Sequence, residues 1–186
     1  MTEDEEAVLI RRCQAGDKAA FRTLVENYRT VMFGTAYLMT RDYILAEDAL
    51  QEALVKIWKN LPSLRRHGSL KAWLVRIVIN EVNRQMRKKR LPSVSLENIV
   101  EIKADCGEVE TKLIRSEEHQ RLRQAIESLP PEQRQTIILR YFSDLTVPEV
   151  ARVMGKREGT IKSRLSRALN RLHEIIVNDE ISEGRR

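Results

Sequence analysis

The chain has 186 residues, 42% hydrophobic and 32% charged, and its 33 basic and 27 acidic side chains leave a net charge of +6. The charge content exceeds the usual quarter, which fits a globular chain rather than a fibrous or low-complexity one. No apolar run approaches the roughly 20 residues that a helical membrane span requires. Cys13 and Cys106 stand far apart, in no metal-ligand spacing with His67, His119 or His173, so no metal is expected. Two lone cysteines fit a reducing compartment, and the acidic N-terminus is unlike a secretory signal, so a cytoplasmic protein is expected.

Apolar residues recur mostly at three and four, and strand signals are almost absent, so the chain reads as all-α. Asp17 is positioned to cap a helix running to about residue 39, with Phe21, Leu24, Val25, Tyr28, Met32 and Tyr37 on one side. After a break at Thr40–Asp42, a second helix reaches Asn60, with an apolar stripe from Ala46 to Trp58. The turn 62–69 contains Pro62 and Gly68, and Ser69 then caps a third helix to about Arg90. This helix has apolar residues on two sides and should be buried on both. Around residues 92–114 the periodicity dissolves and acidic residues accumulate, as in a flexible linker. It resumes near Ile114, breaks at Pro130–Pro131, and continues through Ile137, Ile138, Tyr141 and Phe142. The expected architecture is two small helical domains, 10–91 and 115–177, joined by that linker.

Basic charge is concentrated on particular elements. RQMRKKR (84–90) holds five cations and no anion; 156–171 holds six cations, and Glu158 is its one anion. Such clustering is a footprint of nucleic-acid binding, although a solvated helix face can look the same. Over 146–176, Thr146 and Glu149 have capping-box spacing, Gly155 marks a tight turn, and a basic amphipathic helix follows. Its apolar side carries Ile161, Leu165, Ala168, Leu169, Leu172, Ile175 and Ile176. The other carries Thr160, Ser163, Ser166, Arg167 and Asn170, flanked by Lys162, Arg164 and Arg171; Arg157 precedes it. Short hydroxyls among cations suit close approach to a duplex, where Ser and Thr bond phosphates or base edges and Arg reads guanine. The cationic end of the third helix, including Arg84, Arg87 and Lys88, suits phosphates, which give salt-dependent affinity without sequence information.

Other residues leave alternatives open. Trp58 and Trp73 suit either core packing or stacking on unpaired bases. Asn80 suits either a satisfied core amide or a contact. Glu47, Asp48, Gln51 and Glu52 form an acidic patch that faces solvent or a basic protein surface. The sequence contains no nucleophile elbow, phosphate-cradling glycine loop or ligand cluster, so neither catalysis, a cofactor nor a small-molecule substrate is expected.

Three motifs carry a family resemblance: AEDALQEALVKIWKNL (46–61), LKAWLVRIVINEVNRQMRKKR (70–90) and ESLPPEQRQTIILRYFSDLTVPEVARVMGKREGTIKSRLSRALNRL (127–172). Together, in this order, they resemble the extracytoplasmic-function (ECF) sigma factors over about residues 15–177. The resemblance implies that 10–91 is sigma domain 2 and 115–177 sigma domain 4. It also implies that Asp48, Gln51 and Glu52 dock on bacterial core RNA polymerase. Turn 62–69, with Arg65, Arg66 and His67, would capture a flipped base of the minus-ten element. Asn80 and its helix, with Trp73, would meet the unpaired strand, while Arg84, Arg87 and Lys88 hold the backbone. Lys162, Ser163, Ser166 and Arg167, with Arg157, Thr160 and Arg164 beside them, would meet the minus-thirty-five duplex. The implied partners are core polymerase, promoter DNA in duplex and single-stranded form, and an anti-sigma factor, commonly a membrane protein. The competing expectation is a conventional helix-turn-helix regulator that binds duplex operators without polymerase.

Overall fold

Helix α1 (Glu3–Gln14) opens on a capping box in which Glu5 N–H donates to the Thr2 hydroxyl and Thr2 N–H to the Glu5 carboxylate, at 3.3 and 2.8 Å. The computed structural model describes residues 2–64, 70–90 and 117–183, and every regular element among them is helical. The sequence reading starts the first module at residue 10. The structure instead packs α1 on the next helix, burying Leu9, Ile10 and Cys13. Gly16 takes a left-handed turn at φ 86. The Asp17 carboxylate then accepts from Ala19 and Ala20 N–H at 2.9 and 3.0 Å and from the Arg12 guanidinium, which together hold its pKa below the usual value.

Asp17 thereby starts α2 (Lys18–Thr40), and Asp42 starts α3 (Tyr43–Asn60) by accepting from Leu45 N–H at 3.0 Å. A 3-10 turn (Leu61–Ser63) follows, tied to the end of α1 because the Gln14 amide donates to the carbonyls of Leu61 and Leu64. Helix α4 (Leu70–Arg90) completes the first bundle. Leu24, Met32, Leu50, Ile57, Leu61, Leu74, Val78 and Val82 fill its interior, and Trp58 meets Phe21 edge to face at 4.9 Å. One acid, Glu81, is also buried here, between Lys56 and Arg84. Burial alone would raise its pKa, but the two cationic donors outweigh it and leave the pKa below the ordinary value.

The second bundle contains α5 (Glu117–Ser128), α6 (Pro131–Ile137), α7 (Val147–Met154) and α8 (Glu158–Glu183). Pro131 at the first turn of α6 costs no backbone bond there. Helix α6 runs on into a π-turn over Ile138–Phe142. Its wider winding shifts the side chains that follow, so Ile138 and Leu139 are buried while Tyr141 points outward, 58% exposed. Leu129, Ile137, Leu145, Val150, Ile161, Ala168 and Leu172 form this core. It also takes in Ala72, Val75 and Ile79 from α4, so α4 is buried on two sides, one in each bundle. The expected linker lies outside the described residues.

Candidate nucleic-acid interface

The helix-turn-helix is built from local rules. The Glu149 carboxylate accepts from both the backbone N–H and the hydroxyl of Thr146, at 2.7 and 2.8 Å, which fixes the start of α7. Gly155 ends α7 at φ 62, a left-handed conformation that glycine adopts without the clash a side chain would bring. The chain then turns into α8 within three residues. Ile161, Leu165, Ala168 and Leu172 anchor α8 in the core.

The opposite face of α8 is exposed at Lys162, Ser163, Ser166 and Arg167; Arg157 is exposed just before it and Thr160 is half-buried. Ser163 donates to the Thr160 carbonyl at 3.0 Å, and Arg167 reaches the Ser163 carbonyl and hydroxyl at 3.2 and 3.3 Å. These contacts along the helix lay the Arg167 guanidinium down beside the serines. Arg164 differs from its neighbours. It pairs with Glu132 at the start of α6, and its side chain is only 13% exposed. Helical phase separates the two arginines: residue 164 flanks the outer side and turns toward α6, while residue 167 lies on it. A Cβ at Gly159 would meet nothing within 4 Å, so the first turn of α8 is open to an approaching phosphate.

Helix α4 presents a second polar face. Asn80, Arg87 and Lys88 are exposed, while Trp73 is half-buried against the first core. Arg84 is drawn inward by Glu81 at 2.7 Å and Glu52 at 3.5 Å, and Lys89 pairs with Asp42 at 3.0 Å. Arg65, Arg66 and His67 lie outside the described residues.

The acidic patch lies on α3, across an open groove of about 750 Å³ from the basic end of α4. Asp48, Gln51 and Glu52 are exposed, and Gln51 donates to Glu47 at 2.9 Å. Glu52 is engaged by Arg84, whereas among the described residues no ion pair takes up Asp48. Ile44 and Val55, 57% and 52% exposed, stand on the same face as Asp48 and Gln51. Their spacing at 44, 48, 51 and 55 was the available sequence signal for a mixed acidic and apolar exposed face.

Two family models match the chain: Sigma-70 region 2 over residues 24–91 and Sigma-70, region 4 over residues 119–172. The chain is 31% identical to the ECF RNA polymerase sigma factor SigM of Mycobacterium tuberculosis, over 94% of this chain and 86% of that one. It is also 31% identical to the ECF RNA polymerase sigma-E factor of Escherichia coli, over 87% of this chain and 88% of that one. Among solved structures, the sigma factor RpoE of Bartonella quintana, in complex with the anti-sigma factor NepR, aligns with a TM-score of 0.66 and 32% identity, over 84% of this chain and 96% of that one. The chain belongs to the ECF sigma factors, a family of transcription initiation factors that associate with RNA polymerase and direct it to promoters.

Proposed function

We propose that the chain holds two promoter segments at once and carries out no catalysis of its own. The single observation that carries this reading is the presence of two exposed basic surfaces, on α8 and on α4, in one chain with a separate acidic face on α3. Helix α8 would lie in the minus-thirty-five major groove, with Lys162, Ser163, Ser166 and Arg167 toward the bases and Arg157 and Thr160 toward phosphates. The half-buried Arg164 would steady α8 through Glu132.

Helix α4 would meet the unpaired minus-ten strand through Asn80, with Trp73 beside it, and Arg65, Arg66 and His67 would take part in the same contact. Arg84, Arg87 and Lys88 would hold the backbone. Unstacking a base costs a few kcal/mol, offset here by pocket and phosphate contacts. Asp48, Gln51 and Glu52 would dock on a basic helical surface of core polymerase, with Ile44 and Val55 supplying apolar contact at the rim.

The relative from B. quintana was solved with an anti-sigma factor, which supports a partner of that kind here. No helix among the described residues is long and apolar enough to cross a membrane. We place the chain in the cytoplasm, held at a membrane only through such a partner. Run-off transcription tests the reading. Purified chain added to bare core polymerase should direct initiation at discrete start sites on a genomic promoter library. Binding of duplex operators with no start-site selection would sink it.

A further inference from the structure

Helix α1 carries no residue of the two DNA surfaces or of the acidic face, yet its last turn reaches the root of one of them. The Gln14 amide donates to the carbonyls of Leu61 and Leu64 at 3.2 and 2.9 Å, 47 and 50 residues further along the chain. These two residues bound the exit from α3. The last carbonyls of a helix have no partner within it. Here the Asn60 amide donates to the Lys56 carbonyl at 2.8 Å, and Leu64 N–H closes the 3-10 turn on the Leu61 carbonyl at 3.1 Å. Among the described residues, the donor to the Leu64 carbonyl is Gln14. Leu64 leaves the turn extended, at φ -69 and ψ 105, and Arg65, Arg66 and His67 follow it in the sequence.

The Gln14 backbone is itself held from both sides. Before it, Cys13 is buried in the first core. After it, Gly16 turns the chain at φ 86, and Asp17 both caps α2 and pairs with Arg12 at 2.8 Å. Leu61 is fully buried and Leu64 packs on the same core, while Pro62 and Ser63 between them are exposed. Apolar packing therefore sets how deep the turn sits. It does not set the direction of the Leu64 carbonyl, and a rotation there swings every atom that follows. One amide nitrogen with two N–H groups, one for each carbonyl, supplies that direction.

We propose that Gln14 is a positioning residue for the minus-ten contact: its amide holds the 61–64 turn at the angle from which Arg65, Arg66 and His67 meet the unpaired strand. The inference rests on the promoter-binding reading above, and it makes α1 part of the strand-reading apparatus. Two neutral hydrogen bonds shift the fraction of chain with the turn in place by about ten-fold, and apparent affinity follows that fraction.

The test uses the full-length chain on core polymerase and forked probes. Their duplex comes from a promoter that the parent uses in run-off transcription, and their minus-ten single strand is randomised; bound probes are sequenced. Gln14→Glu keeps the side-chain shape but has no N–H to donate. It should lower the preference for the parent's selected strand over the random pool about ten-fold. Gln14→Ala should do the same without adding charge, and Gln14→Lys, whose ammonium can donate to both carbonyls, should keep most of the preference. All three should retain helical circular dichroism, affinity for core polymerase and affinity for the minus-thirty-five duplex alone. Glu and Ala variants that melt earlier yet keep the parent's strand preference would make the bond purely structural and overturn the proposal. A Gln14→Lys chain no better than Gln14→Ala would overturn it as well. A parent that selects no strand removes the promoter reading and this inference together; a selective parent whose preference survives Gln14→Glu removes this inference alone.

Discussion

Helices α4 and α8 are both long, basic and amphipathic, yet they are built into the molecule in opposite ways. Helix α4 is a pillar: Leu74, Val78 and Val82 face one core, Ala72, Val75 and Ile79 face the other, and its exposed polar residues occupy what remains. Helix α8 is a blade: an apolar edge, with Arg164 held beside it by Glu132, is anchored, and the outer face is open. On the proposed reading, the difference separates two kinds of DNA contact. A helix constrained on two sides suits a fixed groove for a strand, and a helix held on one side suits insertion into a duplex groove.

Stability should divide along the same line, and there the largest effect is expected. Leu74→Ala in α4 removes a fully buried side chain and should cost about 2–5 kcal/mol in denaturant unfolding. Leu169→Ala in α8, where the side chain is 43% exposed, should stay within about 0.5 kcal/mol. Equal losses would mean that α8 is buried as α4 is. Next in size, Asp48→Arg should weaken binding to core polymerase by about 100-fold, since like charges facing each other cost several kcal/mol. Isolated DNA binding should be unaffected; full retention in a polymerase competition assay would remove α3 as the docking face.

The DNA contacts sharpen the contrast further. Arg167→Ala should cost about 1–3 kcal/mol on the specific duplex and far less on scrambled DNA. Lys88→Ala should weaken all sequences alike and lower the slope of log affinity against log salt by about one. If titrations in a salt series gave the reverse, the roles of the two helices would be exchanged. A further effect concerns Glu81, whose pKa in the folded chain lies below its ordinary 4.5. A depressed carboxylate pKa adds stability that is complete above the unfolded value and fades as pH falls through the folded one. Glu81→Gln should therefore cost about 1–2 kcal/mol at neutral pH and show a flatter stability profile below about pH 5. An unchanged acid limb would mean that Lys56 and Arg84 do not stabilise the charge.

The turns and caps were the most legible features. Asp17, the Thr146–Glu149 box and the Gly155 turn were placed from spacing alone, because capping is local chemistry. Helix α1 is absent from the sequence reading, which takes the acidic N-terminus only as unlike a secretory signal. The Thr2–Glu5 box and the spacing of Leu9, Ile10 and Cys13 were available to reveal it. Tyr141 and Phe142 read as one stripe with Ile137 and Ile138, but the π-turn breaks that phase. The exposed α8 residues followed from periodicity. The pairing of Arg164 with Glu132 did not, nor did the contact of Gln14 with Leu61 and Leu64, because each depends on a partner distant in sequence.

The single anchored edge of α8 also bears on how such a protein changes over generations. Ile161, Leu165, Ala168 and Leu172 keep the helix in place, while Lys162, Ser163, Ser166 and Arg167 have no part in the interior. On the proposed reading of these four as duplex contacts, a lineage would rewrite them, and with them the genes it switches on, while the scaffold beneath stays as it was. New regulatory addresses would then lie within reach of single substitutions that leave folding intact.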